Sequence, residues 1–135
     1  MRNRVQAVEV PLAVAIGGAL GSLARWGIAS VITATAFPLA TFIANIAGSF
    51  ALGIVLVAGE RIGHRHGALP IGRLWQPFMA TGVLGGFTTF STFVLELNRI
   101  EPLMAAIYFV SSVGLGLLAY SLGNTLARKA LQVTA

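Results

Sequence analysis

Apolar residues run along the chain in four long blocks, and polar residues gather between them. The blocks cover about 10–32, 39–59, 74–97 and 103–126. A membrane-spanning helix needs about 20 mostly apolar residues, so each block predicts one transmembrane helix. The connections are Phe37-Pro38, a polar and basic stretch over 60–73, and a short link over 98–102. The pattern predicts an all-α membrane protein with a single transmembrane domain over 1–135, leaving no length for a soluble domain. Arg2 and Arg4 precede the first block as they would in a signal peptide. Its length and the three spans that follow predict that it is retained.

Composition agrees with this reading. Hydrophobic residues make up 56% of the 135 residues and charged residues 10%, against about 25% charged in soluble domains. Such a chain cannot cover a water-facing surface. There is no cysteine, which excludes disulfides and thiolate metal sites. The formal charge of +5 is mostly a topology signal. Four spans put both termini and the 60–73 connection on one side, with Arg2, Arg4, Arg61, Arg65, Arg73, Arg128 and Lys129; Arg99 lies on the other. That bias predicts cytoplasmic termini in the inner (plasma) membrane. The basic residues are scattered at membrane ends, so no nucleic-acid partner is expected.

The third block is unusual. Gly82-Val83-Leu84-Gly85-Gly86-Phe87-Thr88-Thr89-Phe90-Ser91-Thr92-Phe93 places three glycines and four hydroxyl residues at membrane depth. Each Gly lowers helix propensity by about 1 kcal/mol relative to Ala. A break near Gly85–Thr88 is therefore expected, in a place covered by protein or by a water-filled cavity. It would free backbone carbonyls for a partner such as a cation. The other reading is a Gly-rich helix that packs tightly. Gly17, Gly18 and Gly21 in the first block, and Ala44, Ala47 and Gly48 in the second, likewise suit close helix packing, within one subunit or between subunits.

Phe90 and Phe93 are three apart and share a helix face. Ring edges are electropositive, and the hydroxyls of Thr89, Ser91 and Thr92 can donate hydrogen bonds. Together they can receive a small anion without offering it a formal charge. Plain packing is the alternative for the Phe pair. Asn45, inside the second block, can donate to an anion or tie two helices together. Arg25 is the one strong charge well inside a span and is a functional candidate on that ground; it can attract anions at a pore mouth or pair with Glu96. Tyr108, Ser112 and Gly116 fall four apart on one stripe of the fourth block, although Tyr108 also suits an interfacial anchor. His64 and His66 lie outside the blocks and read as solvated residues.

The middle of each span lacks Asp and Glu, which argues against a carboxylate-driven proton-coupled exporter of the small multidrug type. No nucleotide-binding or catalytic motif is present, so the chain does not read as an enzyme. A non-conducting membrane assembly subunit would need the glycines and the Phe pair for packing alone.

Three blocks together resemble the CrcB/Fluc family of fluoride channels. They are the Gly17–Trp26 stretch GGALGSLARW, the Thr41–Phe50 stretch TFIANIAGSF and the Thr81–Phe93 stretch TGVLGGFTTFSTF. The resemblance covers nearly the whole length, and its G-G-x-T-T-F-S-T-F string is highly specific. It implies an antiparallel, dual-topology dimer of four-helix subunits with two fluoride pathways along its interface. These passively export fluoride from the cytoplasm and relieve fluoride toxicity. It implies that Phe90 and Phe93 are pore phenylalanines, that Asn45 is a pore amide, and that Ser91 and Thr92 supply hydroxyls. Tyr108 and Ser112 would begin a polar track on the fourth helix. Arg25 would stand near the aqueous pore mouth. Gly85 and Thr88 would offer carbonyls to a structural sodium ion at the dimer interface. Two features depart from the family pattern. Gly116 has no side chain at a track position. The one-sided basic residues do not suit a subunit inserted both ways, which leaves room for a paired homologous subunit beside the homodimer.

Overall fold

The third apolar block does not form one helix. In the computed structural model, which describes residues 2–32, 36–66 and 69–132, it is built in pieces. Helix α1 covers Arg2–Val31 and α2 covers Leu39–His66. Helix α3 starts as Pro70–Gln76, widens to a π-helical stretch over Pro77–Leu84 and ends with Gly85–Phe87. Residues 88–90 are non-helical. Helix α4 resumes at Ser91–Leu97, and α5 covers Pro102–Gln132. Four stretches are long and apolar enough to cross a membrane: Val8–Val31, Leu39–His66, Pro70–Leu97 and Pro102–Leu131. The third crosses as α3 plus α4.

The helices outrun the apolar blocks. The sequence pattern ends the second span near 59, yet α2 continues to His66. Glu60, Arg61 and Arg65 are adequate helix formers, so leaving the apolar region does not end the backbone ladder. The expected connection over 60–73 contracts accordingly, because α3 begins at Pro70. Proline suits that first position, where its missing N–H costs no intrahelical bond. Pro102 opens α5 in the same way.

Packing pairs α1 with α3 and α2 with α5. Both crossings depend on missing side chains. A Cβ on Gly17 of α1 would lie 2.9 Å from the Val83 nitrogen and 3.0 Å from Gly82 Cα of α3. A Cβ on Gly53 of α2 would lie 2.7 Å from the Asn124 nitrogen of α5. Small residues let backbones approach where lipid supplies no hydrophobic drive between helices. Gly17, Gly18 and Gly21 of the first block thus face α3, while Gly48 of the second faces Phe87 and Thr88. Large apolar side chains point outward, among them Leu12, Ile16, Leu20 and Leu23 on α1 and Leu103, Val110 and Leu117 on α5. That outer face suits hydrocarbon.

Polar ties lie toward one end of the bundle. Arg73 pairs with Glu9, joining α3 to α1. Arg128 pairs with Glu60 at 3.3 Å, joining α5 to α2. The Trp75 indole donates to the Val55 carbonyl at 3.2 Å, joining α3 to α2.

Gly53→Ala is expected to lower the thermal unfolding midpoint in detergent by several degrees, because overpacking costs about 1–3 kcal/mol. Gly114→Ala, where nothing lies within 4 Å of the added carbon, should leave it unchanged. Equal losses would remove the close α2–α5 approach as the cause.

Candidate functional site

The break in the third span is held by side chains from three helices. The Gly85 N–H reaches back to the Ala80 carbonyl, an i→i−5 bond of the widened stretch. The Leu84 carbonyl accepts from the Thr88 N–H at 2.9 Å and from the Thr88 hydroxyl at 2.8 Å. Thr88 then turns extended, with φ −80° and ψ 159°. In a continuing helix the Thr89 N–H would bond to the Gly85 carbonyl. Instead it donates to Asn45 Oδ1 at 2.8 Å, and Asn45 Nδ2 donates to the Thr89 carbonyl at 3.1 Å. One amide side chain thus satisfies both backbone groups of Thr89. The Gly86 carbonyl accepts from Ser22 Oγ at 3.4 Å and Arg25 Nε at 3.3 Å. The Gly85 and Thr88 carbonyls accept no backbone hydrogen bond among the described residues.

Thr89 also starts the next helix. Its hydroxyl accepts from the Thr92 N–H at 3.2 Å and donates to Thr92 Oγ1 at 3.1 Å. Ser91 Oγ lies 3.3 Å away in the same cluster. This is side-chain capping of an orphaned helix-start N–H. Phe90 and Phe93 follow, with ring centroids 6.2 Å apart. Their settings differ sharply: Phe93 is 5% exposed and Phe90 77%. Phe93 packs inward against Tyr108 at 4.9 Å, while Phe90 projects out of the single subunit.

A second polar cluster sits beyond Phe93. Glu96 accepts from the Thr41 hydroxyl at 2.8 Å and from the fully buried Tyr108 hydroxyl at 2.8 Å. Tyr108 is therefore not an interfacial anchor. Nor does Glu96 pair with Arg25, as one sequence reading allowed: its two oxygens face α2 and α5, while Arg25 is committed to Gly86. Ser112, one turn after Tyr108, has a buried hydroxyl with no hydrogen-bond partner.

An open groove of about 340 Å3 follows the break and is lined by Asn45, Gly48, Ser49, Gly85, Thr88, Thr89 and Phe90. A second groove, lined by Glu96 and Arg99 among others, opens near the α4 end. The structure therefore gathers Asn45, Gly85, Thr88, Phe90, Ser91 and Thr92 around one interruption. Phe93 links it to Tyr108, and Arg25 reaches it from α1. Ser112 lies farther along α5. Sequence reasoning did not single out Thr89 as the hub, nor Ser22 or Thr41. Only Thr89 carried a usable signal, as the middle residue of a polar run after glycines. Among the described residues no group of His, Cys, Asp and Glu could hold a metal. Backbone oxygens at Gly85 and Thr88 are hard donors of the kind that suit an alkali cation.

The family description "CrcB-like protein, Camphor Resistance (CrcB)" matches residues 12–124. Among similar proteins is the fluoride-specific ion channel FluC of Beijerinckia indica, 44% identical over 87% of this chain and 94% of its own length. The FluC of Paracoccus denitrificans is 43% identical over 87% of this chain and 93% of its own. The FluC of Ignicoccus hospitalis is 37% identical over 88% of this chain and 95% of its own length.

Asn45→Ala is expected to destabilise the protein markedly, since it orphans the Thr89 N–H and carbonyl at about 1–3 kcal/mol for each buried group. Chemical unfolding in detergent measures this. A loss below that of an ordinary surface substitution would mean that water or another group already serves Thr89.

Proposed function

The chain belongs to the CrcB-like protein family, and from that membership and the geometry of the break we propose that it is a fluoride-selective channel subunit. It passively releases fluoride from the cytoplasm and so relieves fluoride toxicity. It is a multi-pass membrane protein, and the basic bias supports placing its termini on the cytoplasmic side of the inner membrane. The observation that carries the reading is the interrupted third span. It puts Phe90, Phe93 and a hydroxyl cluster beside an amide at membrane depth, with no carboxylate in the groove.

Moving a bare anion through hydrocarbon is very costly, so the path must replace its water. Ring edges, hydroxyls and amide N–H groups do this with partial positive charge. Asn45 gives one amide hydrogen to Thr89 and keeps a second for the groove. Ser91 and Thr92 offer hydroxyls beside Phe90, and Ser112 continues the polar line along α5 beyond Tyr108, whose own hydroxyl proton goes to Glu96. Full positive charges stay at the margin: Arg25, tied to Gly86, draws anions toward the break without holding them in it. Weak, serial donors let the ion leave each station.

A single subunit leaves this path half built. Phe90 is open to the outside, and two carbonyls at membrane depth lack partners. Backbone groups at that depth need cover by protein or enclosed water. This supports a dimer with antiparallel subunits, each closing the other's groove. The Gly85 and Thr88 carbonyls, doubled in such a dimer, suit a structural sodium ion that neutralises their oxygens and locks the interface. The one-sided basic residues favour one orientation, so a paired homologous subunit is the alternative to a homodimer.

Purified protein in fluoride-loaded liposomes, with a potassium gradient and valinomycin carrying the counter-charge, tests the reading. Fast fluoride release with little chloride release from a parallel sample is expected, and shows that one polypeptide suffices. Phe90→Ile and Phe93→Ile should each reduce release by at least about tenfold, one hydrogen-bond-sized increment in barrier height, with assembly intact. Asn45→Asp, which adds a negative charge beside the path, should abolish it. Normal flux in any of these removes that residue from the path.

A further inference from the structure

Serine hydroxyls in these helices turn back onto the preceding turn. Ser30 donates to the Trp26 carbonyl at 2.8 Å, Ser111 to Ile107 at 2.6 Å and Ser121 to Leu117 at 2.9 Å. Two serines do not. Ser112 of α5 has a buried hydroxyl without any partner. Ser49 of α2 makes no hydrogen bond among the described residues. Buried hydroxyls are seldom left unpaired without a reason, and an unmade bond of this kind marks a place where something else is received.

A missing side chain places Ser49 against the α5 stripe that carries Ser112. Gly116 is buried and lies one turn after Ser112 on the same stripe of α5. A Cβ on Gly116 would meet one group alone, Ser49 Oγ at 3.5 Å. The Ser49 hydroxyl therefore stands against the space that a side chain at Gly116 would fill. Ser49 also lines the groove at the break, beside Asn45, Thr88 and Phe90. It is the residue that joins that groove to the α5 stripe.

We propose that Ser49 and Ser112 form a two-hydroxyl station for the conducted anion, in which α2 supplies at Ser49 the donor that α5 lacks at Gly116. The proposal rests on the fluoride-channel reading above. Fluoride is a small, strong hydrogen-bond acceptor, and a hydroxyl with no protein partner is free to rotate its proton toward it. A Ser49 hydroxyl bonded back to the Asn45 carbonyl would have no proton to give.

The same geometry supplies the test. The space at Gly116 is ordinary van der Waals distance from Ser49 Oγ, so Gly116→Ser fits, and fits more easily once Ser49 is Ala. Fluoride efflux from liposomes is measured for the wild type, Ser49→Ala and Ser49→Ala/Gly116→Ser, each checked for monodisperse assembly. Ser49→Ala should lower efflux about tenfold, the loss of one charge-assisted hydrogen bond to the passing ion. The double variant should recover to within about threefold of the wild type, because the hydroxyl returns from the facing helix. If Ser49→Ala assembles poorly, Ser49→Cys keeps the shape with a weak donor and should show the same loss. Unchanged efflux in the single variant overturns the proposal. So does a loss that Gly116→Ser fails to repair, since Ser49 would then act through packing. Absence of efflux from the wild type is a different outcome and would refute the channel reading itself.

Discussion

A backbone N–H and its carbonyl cannot be left bare in hydrocarbon, and the arrangement at Thr89 is how this protein meets that constraint while breaking a helix. Asn45 returns both bonds that the interrupted ladder gives up. Everything downstream follows from that substitution of side chain for backbone. The freed Gly85 carbonyl, the extended Thr88, the capping hydroxyl of Thr89 and the outward Phe90 exist only while α2 holds the break open. The amide is thus first of all a structural member.

The other helices reinforce the same point in space. Helix α1 brings Ser22 and Arg25 to the Gly86 carbonyl, so the end of α3 is satisfied from both flanks. Helix α5 brings Tyr108 to Glu96, whose other oxygen is held by Thr41 of α2. A carboxylate beside an anion path would repel the anion if its oxygens were free. Here each of the two oxygens is occupied by a hydroxyl donor. The groove at the break is left with neutral donors, which suits passage better than capture.

Much of this was legible in the chain, and the limits are instructive. Four spans follow from apolar block length, and the interruption follows from Gly85, Gly86 and the hydroxyl run. The break expected near Gly85–Thr88 opens at the far edge of that range, over residues 88–90, because Gly85 still bonds back to the Ala80 carbonyl. The choice for Asn45 between ion donor and interhelical tie could not be made from its identity, since the deciding partner is a backbone group far along the chain. Gly17 and Gly21 announce close packing but not which helix they meet. Arg25 had two plausible partners by charge, and the one it takes is a neutral carbonyl that no charge pattern reveals. The extension of α2 to His66 was hidden because hydropathy reports the membrane and not the helix.

The widened stretch over Pro77–Leu84 has a consequence for how such chains change length through descent. An i→i+5 turn carries one residue more than an α-helical turn and absorbs it without turning the segments on either side. Before it, Trp75 reaches Val55; after it, Gly86 meets Gly18. A related chain that has lost one residue within this stretch would tighten to i→i+4 bonds and keep both contacts in phase. The same loss within the α-helical Gly85–Phe87 would swing the following side chains by about 100° around the helix axis and carry Phe90 away from its groove. The loss of one residue is thus absorbed before Leu84 and displaces the site after it.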